Sequence, residues 1–298
     1  MTVRDFLSIV ELRTKIVSVS SCGLGFLAAS ADGHDFRLLP AVVLFVAALF
    51  VDMGTTAFNS YFDWLRGTDD AEHNREADKV LVHAGVRPAS AIGTALVLFA
   101  VAAGLGLLLV AFSGLWLLPV GMLCMAVGFL YSGGPLPISF TPVGEPVAGG
   151  FLGSVLLSLS YLIASGGGAG PALFAALPQG LFVAGILAAN NACDIEGDRA
   201  AGRRTLAVLV GPAGGAALLA FYVAAAYVAS AFLVASGKLG GGPPLRPALA
   251  VAASAALAAL VLFRAARGGF SHERKSAVMR AVSLAFLIHT LGLAAAIA

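Results

Sequence analysis

Two short segments combine asparagine and aspartate at helical spacing. In the first, Asn59 precedes Asp63 by four residues, and in the second Asn190 precedes Asp194, and Asp194 precedes Asp198, by the same interval. Residues four apart share one face of a helix, so each segment presents an amide and carboxylates together. Carboxylates at the end of an apolar helix are costly and usually mark function. With arginines close by, the pattern indicates a divalent metal ion that holds an anionic, phosphate-bearing substrate.

Magnesium is the metal that this donor set favours, because it prefers oxygen ligands and commonly bridges carboxylates to substrate phosphates. The candidate metal ligands are Asp63, Asp69, Asp70, Asp194 and Asp198. Arginine, lysine and asparagine suit the oxygens of a bound diphosphate. The candidate substrate-binding residues are Asn59, Arg66, Lys79, Asn190, Asn191, Arg203 and Arg204. A diphosphate neutralised in this way becomes a good leaving group.

If the carbon attached to the diphosphate is allylic, ionisation gives a carbocation, which needs a dry pocket with aromatic faces. Tyr61, Trp64, Phe129 and Tyr131 lie near the predicted site. Tyr131 also begins Tyr-Ser-Gly-Gly-Pro-Leu-Pro, which is typical of a tight, irregular turn, and we expect this turn to act as a lid. The alternative role for Tyr131 is an anchor at the membrane interface. The candidate catalytic residues are Asp63, Asp194, Asp198 and Tyr131.

The composition indicates an integral membrane protein. Of 298 residues, 59% are apolar and 11% are charged, against about 25% charged in soluble domains. The net charge of +2 argues against a nucleic-acid partner. Nine apolar segments, most of them near the length that crosses a bilayer, predict an all-α bundle in one membrane domain over residues 1–298. They are 16–30, 39–61, 89–112, 115–131, 147–165, 171–192, 213–236, 247–266 and 277–297.

The distribution of basic residues tests this count. With nine spans and a cytoplasmic N-terminus, fifteen of the 18 lysines and arginines fall on the cytoplasmic side, as the positive-inside rule requires. The other three are Arg37, Lys238 and Arg246. Both acidic segments then lie on the cytoplasmic side of the cell membrane, after spans two and six. They occupy matching points of a loose internal repeat, which predicts two half-sites facing one cavity.

Other polar residues have less specific interpretations. Asp52 lies inside span two, where it either faces the cavity or pairs with a neighbour. His289 is expected to be a hydrogen-bonded core residue, and His272 a loop residue. The pair Arg274-Lys275 is expected to contact anionic lipid and to serve as a topology signal.

Three sequence blocks together resemble the UbiA superfamily of membrane prenyltransferases, and within it the 1,4-dihydroxy-2-naphthoate polyprenyltransferase branch. The similarity extends over nearly the whole chain. The blocks are Asn59-x3-Asp63-x5-Asp69, Tyr131-Ser-Gly-Gly-Pro135 and Asn190-Asn191-x2-Asp194-x3-Asp198-Arg199. The resemblance implies a nine-helix bundle around a central cavity, Mg²⁺, a polyprenyl diphosphate donor and an aromatic acceptor, with the first and third blocks carrying the metal–diphosphate site.

The chain departs from the family at Ser60, where an aspartate usually follows the asparagine. Dihydroxynaphthoate, as in menaquinone biosynthesis, is the favoured acceptor, and another aromatic or lipid acceptor is the alternative. A transporter with intramembrane acids is a more distant alternative. Against it, the acids lie at one end of the spans beside basic residues, and not at the bilayer midplane.

Overall fold

The protein is described here by a computed structural model that covers residues 1–69, 79–240 and 243–298. Over these ranges it is helical and contains no β-strand. The α-helices are α1 (Val3–Ile9), α2 (Ile16–Ala31), α3 (Leu38–Leu65), α4 (Val80–His83), α5 (Pro88–Ser113), α6 (Leu117–Leu130), α7 (Gly144–Ala148), α8 (Leu156–Ala164), α9 (Ala176–Cys193), α10 (Ile195–Ala200), α11 (Leu206–Ala235), α12 (Leu245–Ala266) and α13 (Lys275–Ile297). A π-helical segment, Gly149–Val155, joins α7 to α8.

The helices long and apolar enough to cross a bilayer agree with the predicted spans. Eight such segments occur among the described residues, and a shorter apolar helix, α6, occupies the place of the fourth predicted span. The prediction of an all-α protein with about nine membrane helices is therefore confirmed. Apolar length determines this result, because a helix rises about 1.5 Å per residue and the hydrocarbon layer is roughly 30 Å thick.

Helix α9 lies at the centre of the bundle, in the most deeply buried of the spans. It packs against α11, α13 and the π-helical segment, while α3 packs against α5 and α8. Small residues allow the closest of these approaches, as expected in lipid. A Cβ added at Gly153 would lie 2.4 Å from the Cα of Gly180, so the two backbones cross where neither residue has a side chain.

Three local features shape the end of the bundle that carries the acidic segments. Helix α11 bends near its start, because Gly211 adopts a left-handed backbone (φ 76°) directly before Pro212. Ahead of the first span, a capping box between Thr2 and Asp5 caps the N-terminus of α1. Glu11 follows α1 with a positive φ of 45°, unusual for a residue with a side chain, and turns the chain into α2.

Candidate active site

A cavity of ≈ 2350 Å³ lies within the bundle and receives side chains from both acidic segments. Its deeper walls are mostly aliphatic and come from α3, α5, α6, α8, α9 and α13. Its polar end lies at the C-terminal ends of α3 and α9, where the acidic segments begin. Ten of the residues predicted from the sequence line it, namely Asn59, Asp63, Asp69, Lys79, Tyr131, Asn190, Asn191, Asp194, Asp198 and Arg203.

Arg203 joins the two acidic segments. Its guanidinium donates to Asp63 Oδ1 at 2.5 Å and to Asp198 Oδ1 at 3.1 Å, and the side chains of both aspartates are at most 6% exposed. Burial raises the pKa of Asp198 to about 6, although the Arg203 guanidinium acts to lower it. The two segments, 131 residues apart in sequence when measured from Asp63 to Asp194, thus meet at one end of the bundle.

Asp194 is held by the loop that precedes the last helix. Its Oδ1 lies 3.0 Å from His272 Nδ1, and its Oδ2 accepts from Lys275 Nζ at 2.7 Å. The sequence interpretation placed His272 in a loop and Lys275 at the lipid surface. The structure places His272 on a short 3₁₀ turn and Lys275 at the start of α13, and both line the cavity.

Glu11 and Lys79 form a second charged group at the same end. Lys79 Nζ lies 3.3 Å from Glu11 Oε1 and 3.4 Å from Asp69 Oδ2. Burial alone would raise the pKa of Glu11, but the ammonium groups of Lys79, Lys15 and Lys275 together hold it below its ordinary value. Sequence reasoning missed Glu11, which lies in the polar N-terminal segment and outside both acidic blocks.

The turn that begins at Tyr131 packs directly against the first acidic segment. Ser132 donates a 2.7 Å hydrogen bond to Asn59 Oδ1. Arg66 donates to the carbonyl oxygens of Ser132 and Gly134, so its charge fixes the turn and does not reach the cavity. Tyr131 lines the cavity, and burial, reinforced by the charge of nearby Glu145, raises the pKa of its hydroxyl above the ordinary value. The geometry suits a lid held by α3.

In the second segment, Asn190 and Asn191 both line the cavity, and Asn191 also connects two helices. Asn191 Nδ2 donates to Glu145 Oε1 at 2.9 Å, which ties α9 to α7. Glu145 is fully buried. Arg204 is exposed, lies outside the cavity lining, and donates through its backbone N–H to the Phe140 carbonyl. Asp70, predicted as a metal ligand, lies outside the described residues.

Of the four aromatic residues expected around a carbocation, one lines the cavity and three do not. Tyr131 lines the cavity, whereas Tyr61, Trp64 and Phe129 do not. Phe129 packs edge-on against Phe58, with ring centroids 5.2 Å apart, and so belongs to the packing behind the site. Of these four aromatic residues, Tyr131 is therefore the one that a cation in the cavity could contact.

Two membrane-embedded polar residues have structural partners. Asp52 both lines the cavity and pairs with Lys15 at 2.6 Å, so the two interpretations of Asp52 hold together. His289 is buried in the core and stacks on Phe182 with ring centroids 4.9 Å apart, but neither of its ring nitrogens has a hydrogen-bond partner among the described residues, so the expected hydrogen bond is not found.

The acidic end has the donor chemistry that magnesium requires. Asp198 Oδ2 is buried and has no hydrogen-bond partner among the described residues. In those same ranges no three or more His, Cys, Asp or Glu side chains converge as a ready-made metal site. Instead, Arg203 lies between the carboxylates of Asp63 and Asp198. The residues fit a magnesium site whose carboxylates are paired with internal cations in this structure.

Comparison with known proteins gives one consistent family. The UbiA prenyltransferase family matches residues 18–294. A 1,4-dihydroxy-2-naphthoate octaprenyltransferase of Bacillus subtilis is 38% identical over 66% of this chain, and this match spans 64% of the relative's length, less than two thirds. The enzyme of the same name from Mycobacterium tuberculosis is 31% identical over 91% of this chain and 89% of its own length.

Solved structures show the same fold. A UbiA homologue from Archaeoglobus fulgidus, bound to DMAPP and Mg²⁺, superimposes with a TM-score of 0.68, covers 97% of this chain and 98% of its own, and is 15% identical. At that level of identity the likeness concerns the fold alone.

Proposed function

The chain belongs to the UbiA prenyltransferase family, and we propose that it transfers a polyprenyl group from a polyprenyl diphosphate to 1,4-dihydroxy-2-naphthoate in a magnesium-dependent reaction. The observation that carries the proposal is the bridge from Asp63 through Arg203 to Asp198. It brings both acidic segments to the polar end of a cavity with mostly aliphatic depth. A charged diphosphate and an apolar chain on one substrate need this arrangement.

The carboxylates at the polar end would hold magnesium. Asp63, Asp69, Asp194 and Asp198 line the cavity there, and the sequence adds Asp70. Magnesium, when bound, neutralises the diphosphate and so makes it a better leaving group. The Archaeoglobus fulgidus homologue with DMAPP and Mg²⁺ bound supports the choice of magnesium and of a prenyl diphosphate as the donor substrate.

The cations of this chain would take the remaining negative charge. Arg203 offers a planar fork for phosphate oxygens and Lys79 a point charge. Both line the cavity and both are paired with carboxylates. When the carboxylates turn to the metal, these cations are positioned to bind diphosphate oxygens. Asn59 and Asn190, also at the cavity surface, would orient water or phosphate oxygens.

The apolar part of the cavity would bind the prenyl chain and keep water away from the allylic carbon. Its walls include Val51, Leu109, Leu156 and Leu187. A carbocation formed beside water would be quenched to a prenyl alcohol, so exclusion of water decides the product. Tyr131 faces the cavity from the turn, and its ring would stabilise the cation.

The acceptor follows from the relatives. Both bacterial relatives described above are 1,4-dihydroxy-2-naphthoate octaprenyltransferases. In the proposed reaction the ring carbon that bears the carboxylate attacks the allylic carbon, the diphosphate leaves, and carbon dioxide is then lost.

Ser60, which stands where the family usually has aspartate, is buried and donates to the Ile9 carbonyl at 3.2 Å. The replacement therefore removes a carboxylate from a position that packs against α1.

We place the acidic end of the cavity on the cytoplasmic side of the cell membrane. The fifteen-to-three distribution of basic residues supports this orientation. The residues that line the cavity begin in α1 and end in α13, which supports one domain over the whole chain.

The direct test is product analysis. Purified protein is incubated with Mg²⁺, a labelled geranylgeranyl or longer diphosphate, and 1,4-dihydroxy-2-naphthoate or other aromatic acceptors, and the products are identified by mass. We expect a prenylated naphthalene that has lost the mass of carbon dioxide. Prenylation of a different acceptor alone would refute the naphthoate assignment. Absence of metal-dependent diphosphate release with every acceptor would refute the transferase itself.

A further inference from the structure

Lys275 occupies an unexpected place at the polar end of the cavity. It is the first residue of α13, and its side chain is 12% exposed. Its ammonium group lies 2.7 Å from Asp194 Oδ2, while His272 lies 3.0 Å from Oδ1 of the same carboxylate. Both oxygens of a predicted metal ligand therefore contact the short segment 272–275 that leads into the last helix.

Lys275 has a counterpart on the other acidic segment. Lys79 lies 3.4 Å from Asp69 and is 14% exposed, nearly the same as Lys275. Both lysines line the cavity, and the positive charge of both acts to lower the pKa of the half-buried Glu11 carboxyl. Each acidic segment thus has an aspartate paired with a lysine from another part of the chain, Lys79 directly ahead of α4 and Lys275 at the start of α13.

We propose that Lys275 is a second diphosphate-binding lysine, held on Asp194 until metal and diphosphate arrive together. This rests on the function proposed above. A largely buried ammonium group is stable only with a counter-charge. When the oxygens of Asp194 bind a metal ion, Lys275 loses this partner, and a diphosphate oxygen at the same end of the cavity replaces it.

The exchange has a thermodynamic consequence. Metal alone must displace Lys275 from Asp194 and leave two cations close together, whereas metal with diphosphate satisfies every charge. Binding of the two ligands is therefore positively coupled, and coupling is reciprocal: each ligand tightens the other by the same factor.

The experiment uses calorimetry on the full-length protein in detergent, with Mn²⁺ and inorganic pyrophosphate as probes. Lys275→Met removes the charge and keeps the length of the side chain. Lys238→Met is the matched control, because Lys238 lies beyond the far end of α11, 5.0 Å from the Phe174 ring. Lys275→Arg keeps the charge and shows whether the position tolerates change. Thermal unfolding checks that each variant is folded.

We expect Lys275→Met to weaken pyrophosphate binding in the presence of Mn²⁺ by about tenfold or more, as for loss of one hydrogen bond to a charged group. The same variant should bind Mn²⁺ alone at least as tightly as the wild type, because the competing cation is gone. Lys275→Arg and Lys238→Met should bind both probes nearly as the wild type does.

A purely structural role for Lys275 predicts a different pattern, in which Lys275→Met weakens the binding of both Mn²⁺ and pyrophosphate, or of neither. Either result would overturn the proposal. If Lys275→Met does not fold, the comparison passes to Lys275→Arg and Lys275→Gln, and equal pyrophosphate affinity in these two would also overturn it. Failure of the wild type to bind pyrophosphate with Mn²⁺ would instead defeat the proposed function together with this inference.

Discussion

Replacing Arg203 by glutamine removes the cation between two buried carboxylates. In the wild type the guanidinium contacts Asp63 at 2.5 Å and Asp198 at 3.1 Å, and its own side chain is 13% exposed. In Arg203→Gln the two carboxylates lose this shared counter-charge. We expect the variant to be destabilised in EDTA and to regain most of its stability when Mg²⁺ is added, because a metal ion then serves the same two carboxylates.

The magnitude follows from burial. Removing one partner of a buried ion pair costs about 3–5 kcal/mol, which corresponds to a fall in melting temperature on the order of 5–10 °C for a chain of this size. The control is Arg204→Gln, which changes an exposed neighbour and should leave the melting temperature nearly unchanged.

The destabilisation should grow with pH. In the folded wild type the pKa of Asp198 is raised from 3.8 to about 6, chiefly by burial. Because its pKa is higher in the folded state than in the unfolded state, Asp198 stabilises the folded protein below pH 3.8. This stabilisation is lost as the pH rises to about 6, and above pH 6 the group no longer changes the free energy of unfolding with pH. Without Arg203 that pKa rises further, so the variant should continue to lose stability as the pH rises above 6.

The assay is thermal unfolding of detergent-solubilised protein, followed by tryptophan fluorescence, in EDTA and in Mg²⁺ at several pH values. An equal effect of Mg²⁺ on wild type and Arg203→Gln would refute the reasoning, since it would mean that Arg203 and the metal do not share a site. A destabilisation independent of pH would refute the assignment to the carboxylates.

Three further predictions concern activity and topology. Asp63→Asn and Asp194→Asn should each reduce product formation at limiting Mg²⁺ by at least about a hundredfold, since each ~1.4 kcal/mol of lost transition-state stabilisation is tenfold in rate; near-wild-type turnover in either variant would exclude that residue as a ligand. Tyr131→Ala should lower transfer and raise the fraction of prenyl alcohol measured by chromatography, whereas Tyr131→Phe should keep most activity; an unchanged alcohol fraction in the alanine variant would make Tyr131 an interface anchor. A reporter fused after Gly202 should be cytoplasmic and one after Gly240 external, and an external signal at Gly202 would contradict the proposed orientation.

The membrane helices could be predicted well because their length is imposed by the bilayer. The predicted span 39–61 corresponds to Leu38–Leu65, and 277–297 to Lys275–Ile297. Helical periodicity also placed Asn59 and Asp63 on one face, and both line the cavity. These features depend on residues close in sequence, and the period of the helix relates such residues directly.

Contacts between distant loops could not be predicted in the same way. His272 meets Asp194 across 78 residues, and no periodic pattern relates a loop to the end of another helix. Arg66 shows a second limit of sequence reasoning. Its type and position suited a phosphate, but the nearby turn offers carbonyl oxygens, and the guanidinium binds those. Glu11 was missed because an isolated acid in a polar segment has no sequence signature.

The carboxylates in the cavity wall are paired with cations in two different ways. Asp52, deeper in the wall, is paired differently from the carboxylates at the polar end. Lys15 donates to Asp52 Oδ1 at 2.6 Å, to Thr56 Oγ1 at 2.7 Å and to the Asp52 carbonyl at 3.4 Å, while Ser18 donates to Asp52 Oδ2 at 2.6 Å. Both carboxylate oxygens are thus hydrogen-bonded to residues at the start of the first span.

Breaking a buried ion pair whose cation makes three hydrogen bonds is costly, so we expect Asp52 to keep Lys15 as its partner. The acids at the polar end pair instead with Arg203, Lys79 and Lys275, which lie beyond or at the ends of the spans. Their side chains need only rotate to exchange a carboxylate for a phosphate oxygen. In the proposed reaction, metal binding would therefore be confined to the polar end, although a carboxylate also lies deeper in the wall, and the carbon chemistry would take place where the nearby charge is already paired.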